Sequence, residues 1–231
     1  MRRILPLVLA ALLAASAPTA QAMSARSHDG AAGPTRGPAV ADRQSPRALF
    51  FGDSYFVGGG CSPDARSDMA WLAGVELGYR PVVRGAGGTG FVAGNPEYGI
   101  PPYLAQIDDG ALDTKNPRLV VIEGGSNDTG LPLDQIRQNA KKVLQIARKE
   151  YPGAVLILVG PMDTYGGYAD SDPIKNALHK VAKRMQVPFV DAQKWTAGRD
   201  NLLCDDYVHP TYEGHVYLGH RLAAALKKRG A

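Results

Sequence analysis

The sequence predicts an α/β domain of three layers, doubly wound around a parallel sheet of five strands. Two observations carry that expectation. The strongest apolar runs, Ala48-Leu49-Phe50-Phe51, Leu119-Val120-Val121-Ile122 and Ala154-Val155-Leu156-Ile157-Leu158-Val159, are apolar at every position rather than at alternate ones. A strand of that kind is buried on both faces, as parallel strands are when helices cover the sheet above and below. The stretches between these runs repeat their apolar residues every three or four positions, as helices with one buried face do.

Before the first strand lies a leader. The chain opens Met1-Arg2-Arg3, runs almost wholly apolar from Ile4 to Ala15, and reaches Ala20-Gln21-Ala22. A charged start, a short apolar centre and an Ala-x-Ala end predict a secretory signal peptide over residues 1–22, and hence an exported protein, extracellular or in the cell envelope. A retained anchor is the alternative, although Pro6, Ser16, Pro18, Thr19 and Gln21 shorten and break the span. After cleavage no stable membrane insertion is expected. Residues 23–46, rich in Ala, Gly, Ser, Pro and Arg without apolar period, read as a flexible leader. Residues 47–231 remain as one domain, long enough to bury about 70% of the surface of its unfolded chain.

Within that domain, the first strand closes in Gly52-Asp53-Ser54, and the chain then loosens through Val57-Gly58-Gly59-Gly60-Cys61. Ala65 to Tyr79 reads as an amphipathic helix ended near Gly78, and Pro81-Val82-Val83 as a second strand. A glycine loop, Gly85 to Gly90, leads into a long loop and a short helix around Tyr103 to Ile107. The third strand ends in Glu123-Gly124-Gly125-Ser126-Asn127-Asp128; Pro132 then starts a helix whose stripe is Leu133, Ile136, Ala140, Val143, Leu144 and Ala147. Gly160-Pro161 ends the fourth strand. Asp172-Pro173 reads as an N-cap with proline in the first turn, opening a helix to about Met185. Pro188-Phe189-Val190 is a short last strand, and a final helix runs from about Thr211 to Lys228.

The formal charge is +4, and 24 bases against 22 acids once Arg2 and Arg3 are removed. So near a balance leaves no electrostatic footprint for nucleic acid. Two cysteines, Cys61 and Cys204, suit an oxidising compartment, and a disulfide between them is expected, with free thiols as the alternative. Neither a metal nor a cofactor is expected: His28, His179, His215 and His220 are scattered singly, without ligand spacing. Gly85-x-Gly87-x-x-Gly90 matches a dinucleotide fingerprint, but Phe91 to Pro96 continue as loop where that motif requires a helix.

The polar clusters all follow strand ends, and in a parallel sheet those ends share one edge. Ser54 is a weak nucleophile until a base takes its proton. Asp206 and His209, three residues apart in an irregular segment, suit a carboxylate orienting an imidazole that serves as that base. Taken alone, the same residues also read as a surface acid pair capping the final helix and an unremarkable histidine. A glycine loop and a side-chain amide, Gly88 and Asn127, supply donors that join the Ser54 N–H in an oxyanion hole. Asn127 also suits a plain turn, and Asn127-Asp128-Thr129 is a glycosylation sequon; a glycan there would block the donor, so the two readings exclude each other.

Gly52-Asp53-Ser54, Gly88, Gly125-Ser126-Asn127-Asp128 and Asp206-x-x-His209 resemble, in order, the sequence blocks of the SGNH hydrolases, also called GDSL lipases and esterases. The resemblance spans about residues 48–212. It implies a flavodoxin-like α/β/α fold and a Ser-His-Asp mechanism with Ser54 as nucleophile, His209 as base and Asp206 as its acid. Gly88 and Asn127 become the oxyanion donors beside the Ser54 amide. Tyr55 stands where the family name implies leucine, and Gly87 competes with Gly88 for the donor position. The exported chain with its Ala/Pro-rich leader is similar to secreted actinobacterial members.

Lipases, thioesterases, arylesterases and carbohydrate O-acetylesterases share this family, so the resemblance implies a small-molecule or glycan ester without naming it. Tyr55, Phe91 and Tyr165, with Phe56, Tyr98 and Tyr168, fall on loops predicted to border the site, and the first three are the expected substrate contacts. No long apolar lid segment is visible, which favours short acyl or acetyl groups over long triglycerides. A long-chain lipase and a non-catalytic glycan-binding module are the rival expectations.

Overall fold

Strands buried on both faces need a helix layer on each side, and the chain supplies both. The structure is a computed structural model and describes residues 44–61, 66–164 and 168–231. The expected signal peptide, and all of the leader up to residue 43, lie outside the described residues. The strands are β1 (Arg47–Gly52), β2 (Arg80–Gly85), β3 (Pro117–Glu123), β4 (Val155–Val159) and β5 (Phe189–Val190). They form one sheet in the order β2-β1-β3-β4-β5, every pair parallel, which is the flavodoxin-like order.

The helices are α1 (Ser54–Val57), α2 (Met69–Glu76), α3 (Tyr103–Asp108), α4 (Leu133–Glu150), α5 (Tyr168–Arg184) and α6 (Tyr212–Lys227). The pleat divides β1 between two cores. Ala48 and Phe50 join Leu119, Val121 and the buried faces of α2 and α6. Leu49 and Phe51 join Val120, Ile122 and the stripes of α3, α4 and α5. Each fully buried Leu, Ile or Phe contributes about 1.5–3 kcal/mol. That rigid double core fixes the edge where the strands end.

Two elements begin elsewhere than the sequence predicts. α2 starts at Met69, because the Asp68 side chain accepts the Trp71 N–H and caps the helix there. α5 starts at Tyr168 and carries Pro173 inside it rather than in its first turn. Its first turns are held by tertiary contacts instead: Ser171 Oγ donates to Asp163 at 2.6 Å and accepts from Gln193 at 2.7 Å. Ile174, Leu178 and Ala182 are buried beneath them.

Candidate active site

β1 delivers Ser54 to the C-terminal edge of the sheet. Asp53 caps the short helix α1, its Oδ1 accepting the Tyr55 N–H at 3.0 Å. The turn is tight on both flanks: a Cβ on Gly52 would lie 2.5 Å from Glu123 Oε2, and one on Gly85 would run into the Gly52 carbonyl. These glycines let two strand ends and a buried acid meet beneath the serine.

Ser54 Oγ lies 3.1 Å from His209 Nε2, and His209 Nδ1 lies 2.7 Å from Asp206 Oδ2. Asp206 Oδ1 accepts the amides of Val208 and His209, both at 2.9 Å, so the turn that carries the imidazole is built on the carboxylate that orients it. Burial is the largest single influence on Asp206 and works against its ionised form. The hydrogen bonds from the His209 ring and the two amides outweigh it and hold this carboxyl at about 2. Hydroxyl, imidazole and carboxylate thus form one unbroken chain.

Gly87, Gly88 and Asn127 face the same cleft as Ser54 and His209. Gly88 has φ +74, a left-handed conformation in which a side chain would also meet Asn95 Nδ2 at 2.6 Å. The space over Gly87 opens on Ser54, whose Cβ lies 3.4 Å from the position a Cβ would take. The Asn127 Nδ2 donates to Thr89 O at 3.0 Å and to Asp53 Oδ2 at 3.2 Å. It stands beside the serine with its orientation fixed from below.

The expected aromatic contacts divide. Tyr55 lines the cleft, yet it is 2% exposed and its hydroxyl donates to Val208 O at 3.0 Å, fastening the histidine loop. Phe91 is not on the border: it is fully buried, edge-on to Tyr103 at 5.2 Å, in the core over α3 and α4. Its loop turns inward because Asp128 captures the amides of Phe91 itself and of the two residues after it. Phe56 is likewise buried, against Phe50. Tyr98, by contrast, is 70% exposed on the cleft wall. Tyr165 lies outside the described residues, and Tyr168 opens α5. Cys61 and Cys204 are joined by a disulfide.

Several residues that position the site went unread in the sequence. Gly59 and Gly60 form a wall against the reacting groups: added Cβ atoms would lie 2.6 Å from Ser54 Cβ and 2.5 Å from His209 Cβ. Two adjacent glycines after a strand look like any loop, so composition gave no signal. His215, fully buried in α6, accepts the Met69 N–H at Nδ1 and bonds Gly59 O through Nε2; burial lowers its pKa against the opposing effect of the Gly59 bond. Glu123 is fully buried under Asp53, and its Oε2 accepts the Asp53 N–H at 3.1 Å.

Asp128 is fully buried and accepts three backbone amides, from Phe91, Val92 and Ala93, at 2.8–2.9 Å. A Cβ on the neighbouring Gly90 would lie 2.7 Å from its carboxylate oxygens. Asp128→Ala strands one buried and two part-buried N–H groups and is expected to cost about 2–4 kcal/mol of stability. Urea unfolding checks this; a loss under about 1 kcal/mol would mean that solvent replaces the carboxylate freely.

The cleft measures about 770 Å³ and is lined on its outer part by Asn95, Thr129, Asp163, Thr164 and Asp170. A model of the GDSL-like lipase/acylhydrolase family matches residues 50–217. A GDSL lipase of Mycobacterium tuberculosis is 29% identical over 199 residues, which are 80% of this chain and 82% of the relative. Among solved structures, TesA matches with a TM-score of 0.65 at 24% identity, over 79% of this chain and 98% of its own. A carbohydrate esterase family 2 enzyme with a carbohydrate-binding domain, from Corynascus thermopiles (Myceliophthora fergusii), matches with a TM-score of 0.62 at 26% identity, over 82% of this chain and 68% of its own.

Proposed function

The chain belongs to the GDSL-like lipase/acylhydrolase family and is a carboxylic ester hydrolase; from that premise we propose a secreted serine esterase that removes short acyl or O-acetyl groups. The observation that carries the proposed mechanism is the Ser54–His209–Asp206 chain, at 3.1 and 2.7 Å. His209 Nε2 takes the Ser54 proton as Oγ attacks the ester carbonyl. Asp206 holds the other ring nitrogen protonated and stabilises the imidazolium. The amides of Ser54 and Gly88 receive the oxyanion, joined by Asn127 Nδ2, one of whose two hydrogens turns to it from Thr89 O while Asp53 keeps the other. His209 then protonates the departing alcohol, and a water activated by the same imidazole releases the acid from Ser54.

An open cleft with polar outer walls supports a short acyl group on a polar alcohol, and the exposed Tyr98 offers a sugar ring a flat apolar face. Among the described residues no helix is long and apolar enough to cross a membrane. The carbohydrate esterase neighbour points the same way. Export rests on the N-terminal leader pattern and on the disulfide. A long-chain lipase is the second reading, favoured by the name of the mycobacterial relative.

A fluorophosphonate probe is expected to label the protein at Ser54 and to leave Ser54→Ala unlabelled. An ester panel then separates the two readings: acetyl and butyryl esters should be hydrolysed about tenfold or more faster than palmitoyl esters. An unlabelled wild type defeats the serine mechanism, and a palmitoyl preference defeats the short-acyl reading.

A further inference from the structure

Glu123 is a carboxyl group with no ordinary reason to be where it is. It ends β3 fully buried, and its Oε2 accepts the Asp53 N–H while its Oε1 has no partner. The Asp53 side chain is its hydrogen-bonding neighbour. Two buried carboxylates side by side have only acceptors, whereas one shared proton supplies the bond that Oε1 lacks. Asp53 in turn is used twice as an acceptor, by the Tyr55 N–H at Oδ1 and by the Asn127 amide at Oδ2.

We propose that Glu123 is a positioning residue: it stays a neutral acid whose proton is held toward Asp53, which keeps Asp53 an ionised double acceptor and so fixes the Asn127 amide beside Ser54. The second amide hydrogen of Asn127 rests on Thr89 O, so the bond to Asp53 is the one that keeps the side chain in place when that hydrogen turns to the oxyanion. If Asp53 takes the proton instead, one of its oxygens becomes a donor, and either the helix cap or Asn127 loses its acceptor.

The charges follow this assignment. Burial, then the negative charge on Asp53, pushes Glu123 well above the usual carboxylate range. Burial raises Asp53 as well, to about 6, with the Tyr55 amide and Glu123 acting in the other direction. The other ionisable groups facing the pair are Asp128, Tyr103, Tyr55 and His209. Because the native pKa of Glu123 is raised, its proton favours the folded state at low pH. That stabilisation is lost as pH rises toward the native value.

The inference rests on Ser54 being the nucleophile, and the experiment keeps the two apart. Glu123→Gln copies the neutral acid, with a donor toward Asp53 and an acceptor for its N–H. It is expected to keep kcat within about fivefold and to leave the acidic limb of the pH–kcat profile in place. Its Tm should gain on wild type as pH rises above the ordinary carboxylate range, because only the wild-type side chain gains by ionising on unfolding. Glu123→Leu fills the space without a donor; kcat should fall about 10²-fold with KM little changed, and the acidic limb should move to higher pH.

A folded leucine variant with wild-type kcat and profile overturns the positioning role. A glutamine variant as impaired as the leucine one, or one whose acidic limb moves, overturns the neutral-acid assignment. Should the leucine variant not fold, the glutamine profile and the Tm trend decide between the same outcomes. A wild type that neither turns over esters nor reacts at Ser54 would instead sink the esterase mechanism, while the Tm trend still tests the proton on Glu123.

Discussion

His209→Ala is expected to lower kcat by about 10⁴-fold or more while leaving the fold intact. The ring makes the only bond to the Ser54 hydroxyl that moves its proton, at 3.1 Å, and no other described base is hydrogen-bonded to it. The turn carrying the ring does not depend on it. The His209 N–H donates to Asp206 Oδ1 and its carbonyl accepts the Cys204 N–H at 2.8 Å, both through the backbone. A part-exposed ring on such a turn contributes on the order of 1 kcal/mol to stability, so Tm should move by only a few degrees. Asp206→Asn gives a second arm. One oxygen of Asp206 already serves two amides, so an asparagine would turn its Nδ2 toward the ring and favour the tautomer with Nε2 protonated. A loss of about 10⁴-fold is expected there as well. Steady-state kinetics with a fast acetyl ester, beside circular dichroism, checks both variants. Turnover within tenfold of wild type in the alanine variant would remove His209 from the mechanism.

The parts of this molecule that could be read in the sequence are those in which local pattern and tertiary demand agree. The runs 48–51 of β1, 119–122 of β3 and Val155–Val159 of β4 are apolar throughout because both faces of the sheet are covered, and α4 carries one stripe because one face is covered. Ser54, Asn127, Asp206 and His209 stood out because their residue types are rarely gathered at strand ends for packing alone. Phe91 misled for the opposite reason. An aromatic residue on a polar glycine loop looks solvent-facing, and only the three amide bonds to Asp128, 35 to 37 residues away, turn that loop inward. Pro173 misled similarly. Asp172-Pro173 is a sound local start signal, but Ser171 is held by Asp163 and Gln193, and these tertiary bonds extend the helix by more than a turn. Gly59, Gly60 and Glu123 had no pattern to betray them, because each matters through what its neighbours in space require.

Removing the disulfide is expected to weaken both the fold and the site. The bond joins Cys61 to Cys204 across 143 residues, so it constrains nearly the whole domain in the unfolded chain. Closing a loop of that size stabilises by about 2–5 kcal/mol, and Tm should fall by roughly 10 °C in Cys61→Ser/Cys204→Ser. The site is affected because the two half-cystines end the two segments that must meet. Cys61 follows the Gly59-Gly60 wall, and the Cys204 N–H holds the His209 carbonyl. A Cβ added to Gly60 would lie 2.5 Å from the His209 Cβ and 3.2 Å from the Cys204 sulfur, so this segment passes close to both. Without the cross-link, the distance between nucleophile and base rests on the Tyr55–Val208 bond and on His215 beneath Gly59. At a temperature where the variant is still folded, kcat should drop about tenfold, since small misplacements of reacting groups are costly. Reducing agent on the wild type should reproduce both effects, and reoxidation should reverse them. A serine pair that melts with wild type would show that strain in the folded state cancels the entropic gain. A lower Tm with unchanged kcat would show instead that the Tyr55 and His215 contacts hold the two segments together by themselves.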